Sequence, residues 1–103
     1  MRAIYVDRDG NYRDGDGRLH REDGPAIRWS DGSEFWHFDN QPHRINGPAI
    51  SYNDGGTYWY IHGKRHRIDG PAIEDSNGNK YYLNGKEYSY EDWDRVRKML
   101  WLL

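Results

Sequence analysis

The stretches HREDGPAI (residues 20–27), HRINGPAI (residues 43–50) and HRIDGPAI (residues 66–73) decide the fold of this chain. They are nearly identical, and each begins 23 residues after the one before it. Self-similarity at a fixed period of this size indicates a repeat architecture, in which each unit buries its apolar face against its neighbours. The chain is therefore expected to be an array of small, similar units.

Turn residues recur with the same period between the repeated stretches. Asp31, Asp54 and Asn77 are each followed by glycine, and Asp-Gly and Asn-Gly pairs favour tight two-residue hairpin turns. Short runs of strand-forming residues flank these pairs, such as PAIRW and EFWHF around the first. A second reversal is predicted at HGK (residues 62–64) and NGK (residues 84–86). Each unit is thus expected to be a β-hairpin.

The two ends of the chain depart from this pattern. Residues 1–19 fit a degenerate first repeat, and residues 20–88 contain three β-hairpin repeats. Residues 89–103 change to a helical period, with acidic residues early, basic residues late and Ser89 as the candidate N-cap. The apolar stripe of this helix comprises Trp93, Val96, Met99, Leu100 and Leu103. We predict one mainly β domain over residues 1–103, an antiparallel β-hairpin repeat array of about three and a half units with a C-terminal α-helical cap.

The composition restricts the classes of protein to be considered. The 103 residues include 5 Trp, 9 Tyr and 2 Phe, so a thin aromatic core is expected. The absence of cysteine excludes disulfides and thiolate metal sites, and no apolar run has the length of a signal peptide or membrane span. A soluble, cytoplasmic protein is expected. With a net charge of −2, no basic stripe makes nucleic acid the default partner.

Strand alternation places aromatic side chains on both faces of the predicted sheet. Ile27 and Trp29 share one face, whereas in the neighbouring strand Phe35 points opposite to Trp36. A single-layer sheet cannot hide both faces. Either the sheet curls with the helix covering one side, or one aromatic face meets a partner.

The stretch YWYIHGKRHRIDGPAIEDSNG (residues 58–78) carries a resemblance to a known family. Its tyrosines and its His-Gly-Lys and Asn-Gly pairs resemble MORN repeats, and it is more closely similar to the His-Arg-x-Asp-Gly-Pro-Ala variant of small phage and giant-virus proteins. The likeness covers residues 18–88 and departs from the usual pattern where Arg-x-Asp-Gly-Pro-Ala replaces His-Gly-x-Gly. The resemblance implies a scaffold or binding module for proteins or acidic lipids. For a phage-type protein it implies an inhibitor or antitoxin-like modulator of a host enzyme, acting in the host cytoplasm.

The repeated histidines raise the question of a metal site, because three imidazoles can hold a catalytic zinc. Equivalent residues of adjacent hairpin units should lie about 9.6 Å apart, whereas zinc donors lie within about 3.5 Å of one another. We therefore predict no metal, no cofactor and a structural role for the motif, with a metal-dependent hydrolase as an alternative. The prolines are also expected to open strands. The predicted structural residues are His20, His43, His66, Gly24, Gly47, Gly70, Pro25, Pro48 and Pro71.

The repeated arginines could bind phosphate, since a guanidinium matches the geometry of phosphate oxygens. Each is followed two residues later by Asp or Asn, so pairing within the loop is the simpler expectation. No nucleophile with a base and no carboxylate dyad stands out, so we predict no catalytic residue. We predict a nonenzymatic module that binds a protein partner, with binding of nucleic acid or anionic lipid as an alternative and residues 99–103 as a candidate homodimer seam. The predicted partner-binding residues are Trp36, Trp59, His37, His62, Arg21, Arg44 and Arg67.

Overall fold

Short β-strands dominate the secondary structure. The computed structural model describes residues 4–101, with every side chain in that range except that of Trp101. Over this part of the chain it contains thirteen strands and one helix, α1 (Tyr90–Trp101). The strands are β1 (Ile4–Val6), β2 (Tyr12–Asp14), β3 (Ile27–Arg28), β4 (Glu34–Phe35), β5 (His37–Phe38), β6 (Gln41–Pro42), β7 (Ile50–Ser51), β8 (Thr57–Tyr58), β9 (Tyr60–Ile61), β10 (Lys64–Arg65), β11 (Ile73–Asp75), β12 (Gly78–Leu83) and β13 (Lys86–Tyr88).

Seven of these strands form one antiparallel sheet in the order β3-β4-β7-β8-β11-β12-β13. The order follows the chain, so no connection crosses over the sheet. β5 with β6 and β9 with β10 form separate two-stranded ribbons, and β1 with β2 forms an N-terminal hairpin. The prediction of a mainly β chain with antiparallel hairpins and one C-terminal helix is confirmed.

The turns at the two Asp-Gly pairs differ from the expectation. Gly32 donates its N–H to the carbonyl of Trp29 at 3.1 Å, so Asp31 is the second central residue and Gly32 follows the turn with a φ of 97°. Tight two-residue turns with two positive φ angles lie in the ribbons and between β12 and β13; φ is 47° at His62 and 79° at Gly63, and 51° at Asn84 and 84° at Gly85. Two positive φ angles match the twist of the flanking strands. The pairs Asp31-Gly32 and Asp54-Gly55 therefore mark longer loops that end in a left-handed glycine, and not two-residue turns. At Asn77-Gly78 the expected two-residue connection is present, because Asp75 pairs with Gly78 and leaves only Ser76 and Asn77 between the strands.

A tryptophan forms the corner between the sheet and each ribbon. Trp36 lies between β4 and β5, where its N–H donates to the carbonyl of Ala49 at 2.6 Å. Its own carbonyl accepts the N–H of His43 at 3.1 Å. Trp59 makes the same two hydrogen bonds with Ala72 and His66, at 2.7 and 3.1 Å. The backbone thus fastens each tryptophan to the loop that follows its ribbon.

The core is small because the molecule is thin, with extents of 46 × 32 × 17 Å. The alanine of each repeated stretch is fully buried beside the backbone of the aromatic corner. Three polar residues are buried as well, and each accepts a backbone hydrogen bond at its side chain. The buried apolar residues are Ala26, Phe35, Ala49, Ala72, Ile73, Tyr82, Leu83 and Trp93. The buried polar residues are Asp14, His20 and Ser33.

The helix caps the last hairpin. Ser89 Oγ accepts the N–H of Asp92 at 3.2 Å, as expected for the N-cap. Trp93 is buried, packs on Tyr81 with ring centroids 4.7 Å apart, and donates its indole N–H to the carbonyl of Arg67 at 2.9 Å. Met99 is 54% exposed and does not belong to the buried stripe predicted for it. Leu103, together with part of the candidate seam at residues 99–103, lies outside the described residues. The 12-residue helix α1 is too short to span a bilayer.

The prolines do not open the strands, contrary to expectation. Pro25, Pro48 and Pro71 precede the first residues of β3, β7 and β11 by two positions. Their carbonyl groups are needed inside the loop, because each accepts a hydrogen bond from an arginine side chain. The prolines are therefore loop residues.

One aromatic face of the sheet is partly open. Trp29 and Tyr52 are 50% and 37% exposed. Phe35 packs between them, with its ring centroid 4.6 Å from that of Trp29 and 5.6 Å from that of Tyr52. The contacts along this row are between neighbouring strands, as expected for cross-strand pairs.

Candidate functional site

Three loops carry the repeated His-Arg motif, and we call residues 20–25, 43–48 and 66–71 the first, second and third His-Arg loops. In each loop the guanidinium lies over an aromatic ring, with Cζ 3.9, 4.0 and 3.9 Å from the ring centroid. Nη1 donates to the carbonyl of the loop proline at 3.1, 3.3 and 3.1 Å. The pairs are Tyr12 with Arg21, Trp36 with Arg44 and Trp59 with Arg67.

A glycine closes the other side of each guanidinium. A Cβ placed on Gly47 would lie 2.7 Å from Cζ of Arg44, and one placed on Gly70 would lie 2.8 Å from Cζ of Arg67. Gly24 stands in the same relation to Arg21, at 2.7 Å. Only a residue without a side chain leaves room for the stacked arginine. The spacing Arg-x-x-Gly in the motif is therefore a packing requirement.

Each repeated histidine accepts a backbone hydrogen bond at Nδ1. The donors are the N–H groups at the first positions of three tight turns, at 3.0, 2.8 and 3.0 Å. Because the Nδ1 lone pair is used, the neutral ring carries its proton on Nε2. Burial lowers the pKa of His43, helped by the adjacent His62 imidazole, and burial also lowers the pKa of His66. The donor and acceptor pairs are Asp39 with His20, His62 with His43 and Asn84 with His66.

One group of side chains within residues 4–101 has the spacing of a metal site. Asp14, His20 and Asp39 each place a ligand atom within 4.8 Å of the others. His20 Nδ1 already accepts the N–H of Asp39, and one carboxylate oxygen of Asp14 accepts two backbone N–H groups. Burial acts to raise the pKa of Asp14, but hydrogen bonds from the backbone of Arg18 and Asp16 outweigh it and lower the pKa. These hydrogen bonds give the group a structural explanation without a metal.

Two grooves open between the His-Arg loops. The first groove, between the first and second loops, has a volume of about 470 Å³, and the second groove, between the second and third, about 850 Å³. Ile45 and Asn46 line both grooves, so the second loop forms a ridge between them. Ile45 is 71% exposed. The other residues of the first groove are Arg21, Glu22, Trp36, Phe38, His43 and Arg44. Those of the second are Trp59, Ile61, His66, Arg67, Ile68, Asp69 and Asn84.

Carboxylates compensate two of the three loop arginines. Arg67 Nε donates to Asp69 at 2.8 Å and its Nη1 to Glu74 at 3.1 Å. Arg21 Nε donates to Asp23 at 3.1 Å. The predicted pairing within the loop therefore occurs in the first and third loops.

The second loop differs. Asn46 stands where the other loops have aspartate, and Ser51 stands where Glu74 follows the third loop. Among residues 4–101, no carboxylate oxygen comes within 4.0 Å of the Arg44 guanidinium. Arg44 keeps the contacts with Trp36 and with the carbonyl of Pro48. Its positive charge is held in place without a counter-charge from the described chain.

The predicted partner-binding residues separate into two sets. Trp36, Trp59 and the arginines all line the two grooves. His62 lines neither groove and stacks on His43, with ring centroids 4.1 Å apart. His37 also lies outside both grooves, and burial lowers its pKa. The structure thus brings five of the seven predicted residues to the grooves.

Sequence reasoning missed two apolar residues that line the grooves. Ile45 and Ile68 occupy the variable position of His-Arg-x, where the first loop has Glu22. The available signal was an isoleucine directly after the arginine and two residues before a glycine, in a segment predicted to be a turn. An apolar side chain there has few neighbours to bury it.

Comparison of the chain with protein-family models, with curated proteins and with solved structures finds no match in any of the three.

Proposed function

We propose that this protein is a noncatalytic binding module, a MORN-like tandem array of hairpin units with a 23-residue period that takes a protein partner across its two grooves. The array comprises about three and a half units, each fastened to the next by the His-Arg loop. The resemblance to phage proteins adds the expectation that the partner is a host enzyme whose activity this protein inhibits or modulates.

The observation that carries the proposal is the exposed ridge of the second His-Arg loop. Ile45 is 71% exposed between two grooves that contain Trp36 and Trp59. Aromatic and arginine side chains are the residues that contribute most to protein interfaces, especially beside pockets that a partner can fill. An apolar ridge flanked by such grooves suits a partner protein.

The rigidity of the groove walls also supports a protein partner. Each loop arginine is held by a ring on one side and a glycine on the other, and each histidine is held by a backbone hydrogen bond. A wall that is already ordered loses little conformational entropy on binding. Two of the three arginines are neutralised by carboxylates, which gives the row less charge for a nucleic acid or lipid surface than its residue types indicate.

The test is affinity capture from a bacterial lysate with the wild-type chain, Ile45→Lys and Val6→Lys, at low and high salt. Val6 is 55% exposed and lies outside both grooves, so it is the matched control. We expect a protein retained at high salt by wild type and Val6→Lys and lost with Ile45→Lys. Circular dichroism of each variant checks that its fold is unchanged.

Two results would contradict the proposal. Equal capture by Ile45→Lys and wild type would show that the ridge is not part of the interface. Recovery of nucleic acid alone, released as salt rises, would favour the polyanion alternative, because neutralised phosphates give binding a steep salt dependence.

A further inference from the structure

The three loop arginines share one placement, over a tyrosine in the first loop and a tryptophan in the other two, and differ in the number of their carboxylate partners. Arg67 has two such partners, Arg21 has one, and Arg44 has none within residues 4–101. The stacking distances differ by only 0.1 Å across the series, since they are 3.9, 4.0 and 3.9 Å. The missing carboxylate therefore does not disturb the placement of the Arg44 guanidinium.

The first and third loops show which kind of acceptor a guanidinium in this position binds. In both, Nε donates to an aspartate carboxylate, at 3.1 and 2.8 Å. The ring, the glycine and the proline carbonyl position Arg44 in the same way, so its Nε–H is oriented for the same acceptor. A guanidinium fixed in advance binds a carboxylate at little entropic cost.

We propose that the second His-Arg loop recognises an aspartate or glutamate side chain of the partner protein, which binds Arg44 Nε where Asp23 and Asp69 bind their own arginines. This inference rests on the proposed function, because it names the chemistry of the partner at the ridge. Ile45 beside Arg44 adds an apolar contact, so the recognised segment carries an acidic residue next to an apolar one.

The charges around the ridge limit the partner to few carboxylates. Glu22 lies on the far wall of the first groove and Asp69 on the far wall of the second. A strongly acidic segment crossing both grooves would meet these two like charges. A single carboxylate at the ridge meets only Arg44, with Asn46 as a neutral neighbour.

The test uses isovalerate, a carboxylate with an apolar body, and its neutral counterpart isovaleramide. Each is titrated into the wild-type chain while NMR follows the Arg44 Nε–H, the Trp36 indole N–H and the Ile45 methyl groups. We expect saturable shifts with isovalerate and none with isovaleramide. Asn46→Asp supplies the missing carboxylate within the loop and should weaken isovalerate binding about tenfold, as for the loss of a charged hydrogen bond. Asn77→Asp adds the same charge in an exposed turn outside both grooves, and should keep wild-type affinity.

Three outcomes would overturn this inference. They are equal binding of the acid and the amide, equal affinity of Asn46→Asp and wild type, and shifts at Arg44 with inorganic phosphate in place of isovalerate. The proposed function is tested separately by capture. If Ile45→Lys loses the partner while Asn46→Asp retains it fully, the ridge is the interface and the carboxylate is not what it recognises.

Discussion

The second and third His-Arg loops share their framework and differ in their charge. Both hold an arginine between a tryptophan and a glycine, and both anchor a histidine through Nδ1. In the third loop Asp69 and Glu74 neutralise Arg67, and α1 covers the neighbouring backbone through the bond from Trp93 to the Arg67 carbonyl. In the second loop the described chain supplies no counter-charge, and Ile45 stands 71% exposed beside it.

This difference distinguishes the contacts that hold each arginine in place from the charge balance around it. The contacts that both loops keep hold the arginine against its tryptophan and the histidine against the turn of the neighbouring ribbon or hairpin. What the second loop lacks is a carboxylate, and this loss leaves the position of Arg44 unchanged. Asparagine can therefore replace aspartate at this position of the motif without moving the arginine, since Asn46 and Asp69 are both exposed.

The largest expected effect comes from filling the space between glycine and arginine. Gly70→Ala should displace the Arg67 guanidinium and cost about 1–3 kcal/mol, because stacking, the proline hydrogen bond and two ion pairs are lost together. Gly47→Ala should cost less, since Arg44 has no ion pair to lose. Urea unfolding measures both. Gly15→Ala, where a Cβ meets no atom within 4 Å, is the control and should be close to wild type.

If Gly47→Ala and Gly70→Ala both unfold at the same urea concentration as Gly15→Ala, the arginine is not held against the glycine. If Gly47→Ala and Gly70→Ala lower the free energy of unfolding equally, the ion pairs of the third loop add no stability.

A smaller effect is expected from pH through the histidines of the two loops. In the folded chain burial lowers the pKa of His43 and of His66 below the ordinary 6.5. The unfolded chain regains the ordinary value, so below about pH 6.5 it binds protons that the folded chain does not. The stability that the two uncharged histidines contribute is therefore complete above their pKa in the unfolded chain. It is lost as the pH falls toward their lower pKa in the folded chain. Urea midpoints at about pH 7.5 and about pH 5.5 test this.

The variants His43→Asn and His66→Asn keep an acceptor near the place of Nδ1 but do not titrate. Each should lose part of the stability difference between the two pH values. His62→Asn should reduce only the part of the pH dependence of stability that comes from His43, because His62 lies against His43. A wild-type chain that is equally stable at both pH values would disprove the argument.

The smallest effect is expected from exchanging the charges of the two loops. Asp69→Asn should lower the free energy of unfolding by about 0.2–1 kcal/mol, and Asn46→Asp should raise it by a similar amount. Asp69 is 63% exposed, so water and salt screen its ion pair. Repeating the urea unfolding at high salt should shrink both changes. A destabilised Asn46→Asp would mean that Arg44 cannot accept a carboxylate as the other loop arginines do.

Local sequence signals were enough to predict much of the architecture. Ser89 and the charge order after it indicated the helix that the structure has at Tyr90–Trp101. Asp-Gly and His-Gly pairs indicated where the chain reverses, because few residues tolerate the backbone angles of a turn. The turn type was wrong at the two Asp-Gly pairs, since it depends on which residues pair across the hairpin. Gly32 became a left-handed residue after the turn only because Trp29 pairs with Ser33.

Part of the candidate site could be predicted because the spacing of its residues is a local property of the sequence. Arginines and tryptophans at regular spacing pointed to rows of side chains, and the grooves contain them. His37 and His62 were chosen because they differ between repeats, a property that says nothing about exposure. Their surroundings come from other strands: His37 is half-buried, and His62 is exposed and stacks on His43, both outside the grooves.

By itself the sequence determined the mainly β character, the positions of the reversals, the terminal helix and the recurrence of His, Arg, Gly and Pro. These follow from backbone preferences and spacing, which are local properties. Only the tertiary structure decided that an arginine lies between a ring and a glycine, that Ile45 is the ridge between two grooves, and that Arg44 is left without a carboxylate. Exposure and charge compensation depend on which distant residues become neighbours, and the folded chain brings those neighbours together.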